Sequence, residues 1–139
     1  MPSCLLFGDS LAVGLGTLLG LGTPAGCDVV ARVGAGAEEI AHMAGPPRQY
    51  DIAVVSVGSN DTPDTTFAQA INEVRIRTPA RRIVWLLPYR RQSAAIIASH
   101  AATHRDLVID AAMFKSRDGI HPRDYGKLAK LLRTTRRPQ

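Results

Sequence analysis

The chain has 139 residues, 45% hydrophobic and 21% charged, with a formal net charge of +5. This is the size and balance of one ordinary globular domain, not of a miniprotein that depends on metal or disulfide staples. The positive charge permits weak attraction to polyanions but implies no obligatory nucleic acid partner.

Residues 4–7 are a short apolar run that predicts a first strand, stopping at Gly8-Asp9-Ser10. Residues 11–21 predict a helix weakened by Gly14, Gly16 and Gly20. A second strand is expected over 28–33, then a short helix over 37–43. Residues 52–57 predict a third strand. Residues 65–78 follow as a helix, with Ala68, Ile71, Val74 and Ile76 near helical spacing and Pro79 as its stop. A fourth strand over 82–87, an Ala- and Ile-rich helix over 93–104 and a fifth strand over 107–110 come next. Pro122 is placed to open a last helix carrying Tyr125, Leu128, Leu131 and Leu132. No repeat or linker interrupts the pattern, so a single domain spans 1–139, with 133–139 expected as a basic, frayed tail that includes Arg133, Arg136 and Arg137.

Alternation of strands and helices implies a parallel sheet with right-handed crossovers, hence a three-layer α/β/α, doubly wound, five-stranded domain. Ligands of such sheets bind beyond the carboxyl ends of the strands. The polar groups fall there. Asp9 and Ser10 follow the first strand, Gly34 and Gly36 the second, and Ser59, Asn60 and Asp61 the third. Arg90 and Arg91 follow the fourth, and Asp118 and His121 the fifth.

A serine hydroxyl needs a base to become a nucleophile, and an imidazole oriented by a carboxylate is such a base. Gly8-Asp9-Ser10-Leu11, a glycine after the second strand, Gly58-Ser59-Asn60-Asp61 and Asp118-Gly119-Ile120-His121 resemble, in that order, the blocks of the SGNH, or GDSL, hydrolases. The resemblance runs from Phe7 to His121. It implies the flavodoxin-like fold of that family and a serine esterase acting on a small acyl ester, an acetyl ester on a carbohydrate or a thioester being within its range. Ser10 would be the nucleophile, His121 the base and Asp118 its orienting partner. The oxyanion hole would be Ser10 N–H, Gly36 N–H and the Asn60 amide. Gly34 is the alternative glycine, and Gly36 is favoured because it directly precedes a helix, where free N–H groups point outward. No metal or organic cofactor is implied, and the partner is a small-molecule or carbohydrate ester.

Each feature also has a plainer reading. Ser10 could cap the first helix, Asp61 or Thr62 the third, and Asp118-Gly-Ile-His-Pro could be a turn; Asp9 reads as structural, bonding loop N–H groups. Gly14, Gly16 and Gly20 also evoke a dinucleotide fingerprint, but they start too far beyond the first strand. Four turns supplying a complete acyl-transfer set are better explained by catalysis. The alternative function is a non-catalytic glycan- or polyanion-binding module on the same fold. Arg90 and Arg91 could grip a substrate carboxylate or phosphate, or be solvated arginines like the nearby Arg75, Arg77, Arg81 and Arg82. His42, His100 and His104 read as surface residues without partners. Cys4 and Cys27 begin neighbouring strands, so a disulfide is open, although buried free thiols are expected. The N-terminal stretch resembles neither a secretory signal nor a membrane span, and a cytoplasmic or phage-encoded enzyme is expected.

Overall fold

The computed structural model describes residues 3–43, 45 and 48–135. Five strands, β1 (Cys4–Gly8), β2 (Asp28–Ala31), β3 (Tyr50–Ser56), β4 (Ala80–Leu87) and β5 (Leu107–Asp110), form one parallel sheet in the order β2-β1-β3-β4-β5. The helices are α1 (Ser10–Leu19), α2 (Ala37–Ala41), α3 (Thr65–Arg77), α4 (Arg91–His104) and α5 (Tyr125–Thr135). The expected doubly wound architecture is therefore the one the chain adopts.

Both faces of the sheet are covered, which explains the unbroken apolar runs over residues 52–55 of β3 and 83–87 of β4. Leu5 and Phe7 of β1, Ala53 and Val55 of β3 and Trp85 of β4 face α2, α3 and α4, meeting Ile40, Phe67, Ile71 and Ile97. Their neighbours Leu6, Ile52, Val54 and Leu86 face α1 and α5, meeting Leu11, Leu15, Leu128 and Leu132. The period of two along a strand thus divides the core into two layers.

Several boundaries differ from expectation. β2 is shorter, ending at Ala31, where the chain turns away after the Arg32 N–H donates to the Gly8 carbonyl at 3.0 Å. The last helix begins at Tyr125, not Pro122. Pro122 bridges to Ser116 within the preceding loop, and the Asp124 carboxylate accepts from the Gly126 N–H at 2.8 Å to start the helix instead. Residues 133–135, expected to open the tail, complete the last turn of α5. Arg136, Arg137 and the rest of that tail lie outside the described residues. Gly14 and Gly16 lie within α1 and Gly20 is its C-cap, so they do not form a turn at the end of β1. Gly14 lets the Tyr125 ring pass over the helix: a Cβ there would lie 2.4 Å from its Cζ.

Cys4 and Cys27 are joined in a disulfide, contrary to the expectation of free thiols, with Cα atoms 4.8 Å apart. The register explains it. Leu5 pairs with Asp28 across β1 and β2, which sets the two cysteines side by side one residue earlier. The bond closes a loop with a sequence separation of 23, worth about 3 kcal/mol by loop-closure entropy. A Cys4→Ala/Cys27→Ala double variant is expected to lose about that much stability in urea unfolding; an unchanged midpoint would show that the bond contributes nothing. No helix among the described residues is long and apolar enough to cross a membrane.

Candidate active site

The site begins where β1 ends. Gly8 has φ of +139°, and a Cβ on it would stand 1.8 Å from the Ser56 carbonyl oxygen, so only glycine lets β1 and β3 approach this closely. The chain then turns through Asp9, which is fully buried. Its Oδ1 accepts from the Leu11 N–H at 3.1 Å and from the Ser56 hydroxyl at 2.5 Å. Asp9, not Ser10, is therefore the N-cap of α1. Burial pushes its carboxyl above the ordinary carboxylate range, against the opposing pull of the Ser56, Leu11 and Ser59 groups.

With the cap supplied by its neighbour, the Ser10 hydroxyl is free to turn elsewhere. Its Oγ lies 2.8 Å from His121 Nε2. His121 Nδ1 lies 2.7 Å from Asp118 Oδ2. A carboxylate only accepts, so the ring proton sits on Nδ1 and Nε2 is left to accept from the serine. The Asp118 Oδ1 accepts from the Ile120 N–H at 2.9 Å, the His121 N–H at 2.8 Å and the Ser116 hydroxyl at 3.1 Å. These bonds, the one from the imidazole foremost, hold its carboxyl well below the usual carboxylate range. Three residues that are 111 positions apart at their extremes thus form one hydrogen-bonded chain.

The other side of the site comes from the loops after β2 and β3. Asn60 Nδ2 donates to the Ala35 carbonyl at 3.0 Å, which leaves its second amide hydrogen unused. Asp61 Oδ1 accepts from the Ala37 N–H at 2.9 Å and so ties the same loop to the start of α2. Desolvation raises the Asp61 carboxyl, with the Ala37 N–H acting against it. Among the described residues, the N–H groups of Ser10, Gly34 and Gly36 donate no hydrogen bond. Gly36 is the N-cap of α2, whereas Gly34 is an exposed turn residue with φ of +82°. Asp61 and Thr62 do not cap α3; Asp64 does, accepting from the Phe67 N–H at 3.0 Å.

Arg90 and Arg91 lie on this edge but are already engaged. Arg91 makes a two-pronged ion pair with Asp110, at 2.8 and 2.9 Å, and also donates to the Pro88 and Tyr89 carbonyls. Arg90 donates from Nη1 to the Asp61 carbonyl at 2.5 Å. Asp110 at the end of β5 thus neutralises Arg91 from within the protein, whereas Arg90 rests on a backbone carbonyl. Two other arginines of that cluster are paired as well, Arg75 with Asp106 and Arg77 with Glu73. His100 is no free surface residue either: it stands edge-on to Trp85 with ring centroids 5.9 Å apart, and desolvation lowers its pKa. His42 and His104 each place Nδ1 on a carbonyl one helical turn back.

Sequence reasoning did not assign Asp61 its tie to Ala37. The signal was present in its place directly after Asn60, but only the approach of the two loops shows what it holds.

No protein-family model matches the chain, and no curated protein matches it in sequence. Solved structures do match. A native M. smegmatis aryl esterase superposes with a TM-score of 0.62 at 16% identity, covering 96% of this chain and 99% of that one. The inhibitor-bound form of that enzyme gives 0.62 at 17% identity, with the same coverage. A Streptococcus pneumoniae protein provisionally described as a platelet activating factor gives 0.63 at 19%, covering 96% of this chain and 83% of that one. These likenesses, all below 20% identity, show that the chain shares its fold with these structures.

Proposed function

We propose that this chain is a serine esterase of the SGNH type that hydrolyses small acyl esters. The observation that carries the reading is the continuous hydrogen-bonded chain from Ser10 Oγ through His121 to Asp118. In this mechanism His121 Nε2 takes the hydroxyl proton as Ser10 attacks the acyl carbon. It returns that proton to the departing alcohol oxygen, then activates the water that cleaves the acyl-serine. Asp118 keeps the imidazole in the tautomer that allows both transfers. The unpaired N–H groups of Ser10 and Gly36, with the free amide hydrogen of Asn60, are the donors available to the oxyanion.

The acyl group we favour is a short one such as acetyl, on a carbohydrate or another small alcohol. A non-catalytic binding module would have no use for a serine whose hydroxyl faces a base already oriented by a carboxylate. The buried Cys4–Cys27 disulfide favours an oxidising compartment over the cytoplasmic setting expected from composition.

Covalent labelling by a fluorophosphonate, located by peptide mass spectrometry, tests the reading. Label on Ser10 is expected, and an unlabelled protein would overturn it. Asn60→Ala is expected to lower kcat by roughly 10²–10³ with KM little changed, since the amide meets a developing charge. Kinetics on an acetyl ester check this; a change confined to KM would make Asn60 a ground-state contact.

A further inference from the structure

Beside the His121 loop, a cavity of about 580 Å³ is lined by Met113, Phe114, Lys115, Arg123, Asp124 and Lys127. Arg123 also lines a second hollow of about 330 Å³, whose other walls include Asp118 and His121. One arginine therefore joins the cavity to the catalytic loop. The cavity's three cations make no side-chain hydrogen bond or ion pair among the described residues, in contrast to Arg75, Arg77 and Arg91. Its single carboxylate, Asp124, is occupied in part by the Gly126 N–H. Lys115 and Arg123 are held next to one another because the Arg123 N–H donates to the Lys115 carbonyl at 2.7 Å. Lys127 reaches the same space from the first turn of α5.

Three exposed cations and one carboxylate line this open cavity, so its wall carries a net positive charge that favours an anion. A carboxylate would offset one of those charges. A phosphate monoester carries about −1.5 to −2 near neutral pH and presents three acceptor oxygens, a closer match to two lysines and the arginine fork. Placement indicates which half of the ester carries it. The imidazole returns its proton to the leaving oxygen, so the alcohol half lies on the His121 side, where Arg123 joins this cavity to the hollow lined by Asp118 and His121.

We infer that Lys115, Arg123 and Lys127 form a phosphate subsite for the alcohol half of the substrate, so that the preferred ester is one of a phosphorylated alcohol. This rests on the esterase reading. It differs from the anion site expected at Arg90 and Arg91, which internal carbonyls and Asp110 already occupy.

The test compares 1-acetylglycerol 3-phosphate, 1-acetylglycerol and O-acetylglycolate as substrates of the whole chain. The phosphorylated ester is expected to show kcat/KM at least about tenfold above the neutral one, through KM, as charge-assisted contacts to a substrate anion imply. Added salt should erode that preference. Lys127→Gln and Arg123→Gln should each raise KM for the phosphorylated ester several-fold and leave the neutral ester unchanged. Equal rates on the phosphorylated and neutral esters by an active protein would overturn the subsite alone, as would equal preference for the carboxylate ester. Equal losses on all three esters in the Gln variants would also overturn it. No hydrolysis of any ester would instead overturn the esterase reading beneath it.

Discussion

Ser10→Ala is expected to lower kcat for an acetyl ester by about 10⁶, while the urea unfolding midpoint stays where it is. The two parts of this expectation have separate causes. Catalysis fails because, among the described residues, the hydroxyl that hydrogen-bonds His121 Nε2 is Ser10 Oγ, at 2.8 Å. Stability is kept because the first turn of α1 is capped by Asp9, through Oδ1 to the Leu11 N–H, and not by the serine. His121→Ala should cost about as much, and the double variant little more, since nucleophile and base act as one unit. Steady-state kinetics with a circular dichroism melt of each variant check this. Activity near wild type in a folded Ser10→Ala protein would remove Ser10 as the nucleophile. Loss of activity accompanied by loss of fold would show that the hydroxyl serves the structure.

Asp118→Asn is expected to lower kcat by about 10⁴, less than loss of the serine. The amide keeps one oxygen, which continues to accept from the loop N–H groups of Ile120 and His121, so the loop retains its shape. An NH₂ then replaces the oxygen that faces His121 Nδ1 at 2.7 Å. Donor would meet donor, so the ring proton moves to Nε2, where it blocks acceptance from Ser10. In the native chain the Asp118 carboxyl is held well below the usual range, chiefly by the bond from the His121 ring. The sign follows: a depressed carboxylate keeps its orienting role above its unfolded value and loses it only as pH falls through the lower folded value. The acid limb of the wild-type rate therefore does not report protonation of Asp118. A pH–rate profile checks this. An Asn variant with unaltered kcat would show that other contacts suffice to orient the ring.

Much of this was legible in the linear sequence. Apolar runs of strand length alternating with helical spacings specify a parallel, doubly wound sheet, because burial on both faces favours consecutive apolar residues in the central strands. The same alternation brings every strand's carboxyl end to one edge, so the residues after those strands could be gathered into one site before any distance was known. Ser10 opens α1, and Asn60, Asp118 and His121 lie in loops that follow strand ends.

What the chain could not reveal by itself depends on which partner each side chain finds across space. Arg91 reads equally well as a substrate grip until Asp110 is seen 2.8 Å away. Cys4 and Cys27 read as free thiols until the β1–β2 register sets them abreast. Ser10 reads as a helix cap until Asp9 is seen to fill that role. Periodicity and motif order report the secondary structure and topology, because those follow from local geometry and burial averaged over many residues. A single hydrogen bond or ion pair depends on ångström-scale placement of two distant segments, and only the packed tertiary structure decides it.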